Sequence, residues 1–210
     1  MTKSILILGA TGHLGKVLTK ILLSKNYKVV ALVRNPEKFD SSLRNIKIIK
    51  GSVLDEKDLQ KSLEGIDAVI SVLGHGFRTS FPIQEKVMKI LIPLMESNGI
   101  DRLITITGEA LIVSSDNKSL RADITSNFLK IIDPYRMNDA IAQQKIIEKS
   151  SLDWTVVRTP IHSNKGTKKV LHIGMTHPPI WQTVNRIAVC EFINDCLVND
   201  SWIKKSPIVF

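Results

Sequence analysis

Short apolar runs alternate along the chain with segments in which apolar residues recur at the spacing of a helix face. The short runs are typical of buried strands, and the spaced positions are typical of helices packed against a sheet. This pattern predicts strands at residues 4–8, 28–33, 46–49, 67–73, 102–107 and 154–158, and helices at 12–25, 55–63, 81–97, 135–149 and 185–197. Strands regularly interrupted by helices indicate right-handed crossovers, so we expect an α/β fold with a parallel sheet covered on both faces.

The remaining segments are less regular. Residues 169–173 and 207–210 are compatible with further strands, and the polar run at residues 114–118 with a loop or the start of a helix. No linker separates two parts of the chain. The expectation is therefore a single domain over residues 1–210, with substrate-binding loops at the carboxyl ends of the strands.

A glycine-rich turn carries the strongest chemical signal. The run Gly9-Ala10-Thr11-Gly12-His13-Leu14-Gly15 stands between the first predicted strand and the first predicted helix. There the first glycine allows a tight turn, the second lets the backbone approach a pyrophosphate, and the third permits close packing of helix on sheet. The helix N-terminus adds free N–H groups and the positive end of its dipole. Although glycine also serves plain turns, this context predicts dinucleotide binding and a Rossmann-like, doubly wound sheet.

The end of the second predicted strand distinguishes the two nicotinamide cofactors. NAD-binding sites usually place Asp or Glu there to accept a bond from the ribose 2′-OH, whereas this chain has Arg34 and Asn35. A guanidinium can form charge-assisted bonds to a 2′-phosphate, and Lys38 follows about one helical turn later. We therefore expect NADP(H) to be preferred over NAD(H), with a solvated surface arginine as the alternative interpretation.

Composition and charge exclude several functional classes. Hydrophobic residues make up 43% and charged residues 23% of the 210 residues, which argues against disorder. No apolar run approaches the roughly 20 residues needed to cross a bilayer, so we expect a cytoplasmic protein. The net charge of +9 is spread along the chain, which favours an anionic cofactor or substrate over a dedicated nucleic-acid surface. Cys190 and Cys196 point in different directions on one predicted helix and lack nearby histidine pairs, so neither a disulfide nor a metal site is expected.

Several segments resemble those of a known family. They are the glycine turn, Val33-Arg34-Asn35-Pro36, Gly51-Ser52-Val53-Leu54-Asp55, Val72-Leu73-Gly74 and Ser151-Leu152-Asp153-Trp154-Thr155-Val156-Val157-Arg158-Thr159-Pro160. Together they resemble the atypical short-chain dehydrogenase/reductases of the NAD(P)-binding, NmrA-like group, most of all its biliverdin reductase B and flavin reductase branch. The resemblance spans nearly the whole chain, but no segment alone identifies a substrate.

The resemblance implies which residues hold the cofactor. At the adenosine end it implies that Ser52 and Val53 border the adenine, and that Leu73 and Gly74 pass under the adenosine ribose and the pyrophosphate. At the other end it implies that Thr107 and Gly108 flank the nicotinamide ribose. The nicotinamide itself would be covered by Thr159, Pro160 and Ile161. These residues join the expected contacts of the glycine turn and the second strand, which are Gly9, Thr11, Gly12, His13, Leu14, Gly15, Arg34 and Asn35. Ser52 stands where many relatives carry Asp.

The catalytic apparatus differs from that of ordinary short-chain dehydrogenases, which use a tyrosine and a lysine four residues later. Here Tyr135 is followed by Asp139, whose negative charge opposes ionisation of a phenol, so Tyr135 is expected to be a packing or capping residue. The candidate catalytic residues are Thr107, as a hydroxyl near the nicotinamide, and His162, as a proton donor. For Thr107 the alternative is a β-branched residue that merely ends a strand.

Acceptor contacts are expected from loops at the carboxyl edge of the sheet, at residues 74–81, 110–124 and 162–183. His75, Phe77 and Arg78 in the first of these loops are the candidate substrate residues, with a solvated arginine as the alternative for Arg78. Two functions remain: an NADPH-dependent reductase of a small conjugated acceptor such as a flavin, or a non-catalytic NADP(H)-binding sensor of NmrA-like type. An epimerase or dehydratase acting on nucleotide sugars is disfavoured by the missing lysine, and the oligomeric state stays open.

Overall fold

The computed structural model describes residues 2–39, 43, 45–74, 81–170, 172–179 and 181–210. Within these ranges the strands are β1 (Ser4–Leu8), β2 (Lys28–Val33), β3 (Ile46–Lys50), β4 (Ala68–Ser71), β5 (Arg102–Gly108), β6 (Asp153–Thr159), β7 (Ile161–Ser163), β8 (Ile173–Gly174), β9 (Thr183–Asn185) and β10 (Ile208–Val209). The helices are α1 (His13–Ser24), α2 (Glu56–Ser62), α3 (Ile83–Ser97), α4 (Leu120–Ile132), α5 (Pro134–Glu148) and α6 (Arg186–Val198), with 3-10 turns at Pro36–Lys38 and Asp200–Trp202. None of the helices in these ranges combines the length and the apolar character needed to span a membrane.

The main sheet has eight strands in the order β3-β2-β1-β4-β5-β6-β10-β8. Its strands pair in parallel, except that β8 runs antiparallel to β10. The chain steps outward from β1 to β3 and then returns to β4 on the other side of β1, as in doubly wound sheets. The predicted Rossmann-like α/β fold is confirmed, and its six main strands lie where the apolar runs predict them.

Two hydrophobic cores cover the two faces of this sheet. Ile5 and Ile7 of β1 pack on one face with α1 and α6, and Leu6 and Leu8 pack on the other face with α2 and α3. All four side chains are fully buried. This double burial explains why β1 appears in the sequence as a continuous apolar run instead of an alternating one.

Helix α6 carries both cysteines on its buried side. Cys190 and Cys196 are free thiols, as the sequence predicts. Burial raises the pKa of each thiol to about 12, so both are protonated at neutral pH. They act as small apolar side chains in the core on this face of the sheet.

The second half of the chain differs from the sequence-based expectations. Helix α4 was not predicted: its start lies in the expected loop at residues 110–124, and no element was predicted for the rest of it. Its buried side carries no apolar stripe, because only Ala122 and Ser126 on it are buried and most of its large apolar side chains are exposed. Residues 169–173 are compatible with a strand in the sequence, but of the described residues there only Ile173 belongs to one, β8, and Lys169 lies in a bend. The sequence analysis also missed the separate two-stranded sheet of β7 and β9, whose short strands leave too few residues for a pattern.

Helix α5 is present as predicted, but three of its six buried residues are polar: Asp139, Gln143 and Gln144. Asp139 is 1% exposed and accepts hydrogen bonds from the backbone N–H groups of Gln84 (3.0 Å) and Glu85 (2.7 Å). These groups belong to the first turn of α3, where backbone N–H groups have no partner within the helix. Asp139 therefore fixes the start of α3 and satisfies its N-terminus with a negative charge.

The first turn of α3 in turn connects two strand ends. The side-chain amide of Gln84 donates to the carbonyl of Leu73 at 3.1 Å, just beyond β4, and to that of Ile106 at 3.2 Å, near the end of β5. A buried amide that bridges two strands resists their separation, because both carbonyls would otherwise lose a partner away from water. The carboxyl ends of β4 and β5 are thus held at a fixed spacing.

Removal of the Asp139 carboxylate should destabilise the protein. We expect Asp139→Ala to lower the free energy of unfolding by about 1–3 kcal/mol, because the buried N–H groups of Gln84 and Glu85 lose their acceptor. Urea unfolding followed by circular dichroism measures the change, with Asp195→Ala on the exposed side of α6 as the control. Equal stability of the two variants would contradict the capping role of Asp139.

Candidate active site

The candidate site lies at the carboxyl edge of the sheet, where the strand order reverses between β1 and β4. Ligands of open α/β sheets bind at this reversal, since loops from neighbouring strands diverge there and leave a crevice. The parallel register brings the residues that follow β1, β2, β3, β4, β5 and β6 to this same edge. The segments expected to contact a cofactor are therefore brought together.

Two of the three glycines in the turn after β1 are required by the fold itself. Gly9 has a φ of +88°, a conformation that favours glycine, and a Cβ there would lie 2.9 Å from the carbonyl oxygen of Val72. A Cβ on Gly15 would lie 2.2 Å from the Gly9 carbonyl oxygen and 2.7 Å from the Cα of Ala10. Helix α1 consequently touches the backbone of the turn, as predicted for the third glycine.

Gly12 has a different environment. Its φ of −72° suits any residue, and its Cβ would meet only the Gly9 carbonyl oxygen, at 3.2 Å, with open space elsewhere. Gly12 is the N-cap of α1, and no side chain among the described residues caps that helix. Because a helix leaves its first N–H groups without an intrahelical acceptor, the start of α1 is suited to hold a pyrophosphate, and the backbone at Gly12 leaves room for its approach.

The other side chains of this turn differ in how deeply they are buried. Thr11 is half-buried and His13 is exposed, so both side chains are at least partly accessible to solvent. Leu14 packs its side chain into the core on the α6 face, so a contact between Leu14 and a ligand would use its backbone.

The expected adenosine end is built by the loops after β2 and β3. Arg34 and Asn35 are exposed directly after β2. The loop after β3 is fixed by Asp58, whose carboxylate accepts from the backbone N–H of Ser52 at 2.8 Å. The hydroxyl of Ser52 accepts from Leu54 N at 3.2 Å and so stabilises the turn, while Val53 packs against the core on the α3 face.

The expected nicotinamide end is an open stretch of backbone. Gly74 and Gly108 are exposed, and a Cβ on either would meet nothing within 4 Å. Leu73 is half-buried next to Gly74, and Thr107 is buried at the end of β5. Gly108 pairs in register with Thr159 of β6, so the ends of these strands border one space.

Beyond β6, Thr159 and His162 interact directly. The hydroxyl oxygen of Thr159 and Nε2 of His162 lie 2.8 Å apart, while Pro160 is buried and Ile161 is exposed. Burial, aided by the positive charge of Arg186, lowers the pKa of His162 to about 4. At neutral pH the ring is therefore uncharged and donates only through one N–H, instead of serving as an imidazolium.

A buried ion pair, which sequence reasoning missed, supports the loops around this edge. The fully buried guanidinium of Arg158 on β6 forms a two-point interaction with Asp116, and it also donates to the carbonyls of Leu111 (2.6 Å) and Ser206 (2.8 Å). Nε2 of His177 lies 3.1 Å from Asp116 Oδ2, which also accepts a hydrogen bond from Arg158. Burial by itself would raise the pKa of Asp116, but the hydrogen bonds of Arg158 and His177 outweigh it and lower that pKa to about 2.

The same cluster joins two loops of the expected acceptor site. Asn117 donates from its backbone to the carbonyl of Met175 at 3.1 Å and from its side chain to the hydroxyl of Thr176 at 2.9 Å. The loop after β5 and the segment after β8 therefore form one unit resting on Arg158. Asp116 is 42 residues from Arg158 and 61 residues from His177 along the chain, so no local pattern could have indicated the cluster.

Glu109 is a second residue at this edge that no sequence pattern indicates. It follows Gly108 directly, and its backbone N–H donates to the Thr159 carbonyl at 3.0 Å. Burial raises the pKa of its carboxyl group, against smaller opposing effects of backbone N–H groups and of His177. The three predicted acceptor contacts His75, Phe77 and Arg78 lie outside the described residues, as does the side chain of Lys38.

The comparison with known families agrees with this geometry. A family described as NAD(P)H-binding matches residues 9–200, which include the glycine turn and nearly all of the carboxyl edge. The chain belongs to the NAD(P)H-binding family. This membership confirms the NAD(P)-binding group that the sequence segments indicate, and the fold is the one found in a solved short-chain dehydrogenase/reductase from Veillonella parvula.

Solved structures related to this NAD(P)H-binding protein have the same fold over almost its full length. A short-chain dehydrogenase/reductase from Veillonella parvula DSM 2008, in complex with NADP, is 17% identical, with a TM-score of 0.82 over 100% of this chain and 94% of that one. An anaerobilin reductase from Escherichia coli O157:H7 is 17% identical, with a TM-score of 0.79 over 99% of this chain and 97% of that one. A proposed NADH-flavin reductase from Streptococcus pneumoniae TIGR4 is 18% identical, with a TM-score of 0.80 over 99% of each chain.

Curated relatives of this NAD(P)H-binding chain are longer than the chain itself. It spans 58%, 24% and 39% of the lengths of three of them.

A branched side chain at position 12 should abolish cofactor binding without preventing the protein from folding. We expect Gly12→Val to abolish NADP(H) binding, because its side chain would fill the open volume at the N-terminus of α1, while the protein remains folded. Gly15→Val is the contrasting variant, and it should fail to fold because its Cβ would lie 2.2 Å from the Gly9 carbonyl oxygen. Calorimetric titration with NADPH and circular dichroism measure the two effects. Unchanged NADPH affinity in folded Gly12→Val would refute the phosphate-binding role of this turn.

The pH dependence of His162 gives a further prediction. Because its pKa in the folded protein, about 4, is below the unfolded value of about 6.5, the unfolded state binds more protons between these values. His162 therefore stabilises the fold above about pH 6.5, and this contribution is lost as the pH falls towards 4. Titration of the histidine ring resonances by NMR, assigned with His162→Gln, should give a midpoint near 4 for His162. A midpoint near the unfolded value would contradict the burial argument.

Proposed function

We propose that the protein is an NADPH-dependent reductase of a small conjugated acceptor such as a flavin. One observation carries the proposal: the carboxyl edge is open backbone at Gly12, Gly74 and Gly108, which matches the path of an extended dinucleotide from the N-terminus of α1 to the end of β5. A cofactor along this path would end beside Thr107 and Thr159. The space beyond it, between the loops held by Arg158, would receive the acceptor.

The choice of NADPH over NADH rests on Arg34. Its guanidinium is exposed at the end of β2, where the adenosine ribose of a dinucleotide is held in this fold, and the neighbouring Asn35 offers no carboxylate for a 2′-OH. A 2′-phosphate would form a charge-assisted and two-point contact there. The NADP complex of the related Veillonella protein supports this choice by analogy of fold.

Hydride transfer in this site would proceed without a tyrosine–lysine pair. Tyr135 is 61% exposed on α5, and the residue four positions later, Asp139, is committed to the N-terminus of α3. When bound, NADPH supplies a hydride, and with one proton from solvent an oxidised flavin becomes a dihydroflavin while NADPH becomes NADP⁺. The chain itself has to hold the two rings close together in a reactive orientation and to exclude competing water. The hydroxyl of Thr107 and the neutral ring of His162 are the groups proposed to hydrogen-bond at the reacting end.

A conjugated acceptor is also favoured by the related structures. The anaerobilin reductase and the proposed flavin reductase share this fold, and their names denote conjugated substrates, a bilin and a flavin. Such acceptors take a hydride without an acid–base residue that protonates a carbonyl oxygen, which accords with the proposed use of Thr107 and His162 as hydrogen-bonding groups only.

The reductase assignment is tested by mixing the purified protein with NADPH and FMN and following the absorbance of the reduced nicotinamide. We expect oxidation well above the background of free flavin. Tight NADPH binding without such oxidation would refute the reductase and favour the alternative of a non-catalytic NADP(H) sensor.

Cofactor choice should depend on Arg34. We expect NADPH to bind roughly ten- to a hundredfold more tightly than NADH, and Arg34→Asp to reverse the order by repelling the phosphate and offering an acceptor to a 2′-OH. Calorimetric titration of both cofactors at one ionic strength measures this, since salt screens the contact. The control is Lys145→Asp, which makes the same charge change at an exposed position of α5, away from the site, and should leave both affinities unchanged. Equal affinities of the wild type for NADPH and NADH would exclude the role of Arg34.

A further inference from the structure

Helix α4 presents a row of large apolar side chains to solvent. Leu120, Ile124, Phe128, Ile131 and Ile132 are each between 58% and 82% exposed. At about 3.6 residues per turn they fall within roughly one third of the helix circumference, and we call these five residues the apolar stripe. No other helix in the described ranges exposes more than one large apolar side chain. The stripe is therefore a particular feature of α4 and not of the protein surface in general.

The opposite side of α4 contributes little to the packing of the helix. Its buried residues are Ala122 and Ser126, whose side chains are small, and Leu129 beside them is half-buried. A helix of about 12 residues is marginal in water on its own, and most of its stability in a protein comes from packing of its apolar side. Because α4 turns that side away from the rest of its own chain, we expect a further surface to cover the stripe.

The stripe is large enough for a stable protein interface. Its five side chains expose on the order of 600 Å², which is the upper end of the roughly 300–600 Å² found for the largest apolar patch of a typical monomer. Each partner in a standard protein interface buries about 800 Å². The stripe therefore supplies most of the area that one side of such an interface needs.

The stripe is complementary to itself when two α4 helices run antiparallel. Its positions are symmetric around Ser126, since Leu120 and Ile132 are each six residues away. Ile124 and Phe128 are each two residues away. A two-fold axis at the level of Ser126 therefore places Leu120 of one copy opposite Ile132 of the other. The same axis places Ile124 opposite Phe128. An interface between two identical chains has this property, because the same patch is used on both sides.

The charges beside the stripe match the same arrangement. Asp123 and Lys130 are exposed and stand seven residues apart, so they lie about two turns apart on one side of α4. With the two-fold axis at Ser126, Asp123 of each copy lies within one residue of the level of Lys130 of the other. Neither residue forms an ion pair within the part of the chain that the structure describes. Opposite charges beside an apolar seam determine which helices pair and in which direction.

We propose that α4 is the interface between two copies of this chain, which pair antiparallel about a two-fold axis at Ser126. The two apolar stripes cover each other, and the two Asp123–Lys130 pairs beside them fix the direction of pairing. A membrane surface suits the stripe less well, because helices that lie on membranes carry mainly Lys and Arg on their polar side, whereas Asp123 stands beside the stripe of α4. The interface is independent of the reductase function proposed above.

The oligomeric state of the full chain tests the interface. Analytical ultracentrifugation should show a species of twice the chain mass. We expect Ile124→Glu to raise the dissociation constant of this dimer at least about a hundredfold, because each copy would bury a carboxylate against Phe128 of the other. The matched control is Val198→Glu at the end of α6, where the side chain is 67% exposed, against 65% for Ile124. This control should leave the dimer intact. Circular dichroism and calorimetric titration with NADPH show whether each variant is folded.

A charge exchange tests the direction of pairing. Asp123→Lys and Lys130→Asp each place like charges opposite each other, so each should raise the dissociation constant of the dimer about fivefold at low salt. The double variant Asp123→Lys/Lys130→Asp restores both pairs, and its dissociation constant should return to that of the wild type. Equal dissociation constants for the wild type and all three charge variants would overturn the antiparallel arrangement.

Two results would overturn the interface itself. One is a dimer that Ile124→Glu leaves intact, since the contact would then lie elsewhere on the protein. The other is a wild type that stays monomeric at every concentration. If such a monomer sedimented with vesicles of phosphatidylcholine and phosphatidylserine, and Ile124→Glu abolished this binding, the stripe would be assigned to a membrane surface instead.

Discussion

The contact between helix α1 and the backbone of the turn after β1 is the constraint on which the site depends. A Cβ on Gly15 would penetrate the Gly9 carbonyl, so only glycine lets the helix approach this closely. The approach places the N-terminus of α1 at the edge of the sheet, where Gly12 then leaves open volume in front of its N–H groups. Because β1 is central and buried on both faces, this geometry is anchored in the two cores.

The other half of the site depends on a charged interaction inside the protein. Arg158 is fully buried on β6, and its pairing with Asp116 fixes the loop after β5 against the strand ends. A buried ion pair offers little net stability compared with an apolar pair, but removal of one partner leaves the other charge buried alone. We interpret the pair as an interaction that positions the acceptor loops. Gln84 and Asp139 position the ends of β4 and β5 in the same way.

The sequence predicts those features whose cause is local. The strands of the first half follow from continuous apolar runs, and the glycine turn follows from spacing within seven residues, from Gly9 to Gly15. Helix α4 escaped prediction because its apolar residues face outward and its buried positions include only Ala122 and Ser126. The cluster around Arg158 could not be predicted either, because it is formed by segments that are distant in the sequence and meet only in the folded chain.

The central claim is that one open edge of the sheet binds NADP(H) along its length. A crystal structure of the protein with NADP⁺ tests it most directly. The account predicts the pyrophosphate over Gly12 at the N-terminus of α1, the 2′-phosphate against Arg34, and the nicotinamide between Gly108 and Thr159. A dinucleotide bound elsewhere on the protein, or one that leaves the volume in front of Gly12 empty, would contradict it.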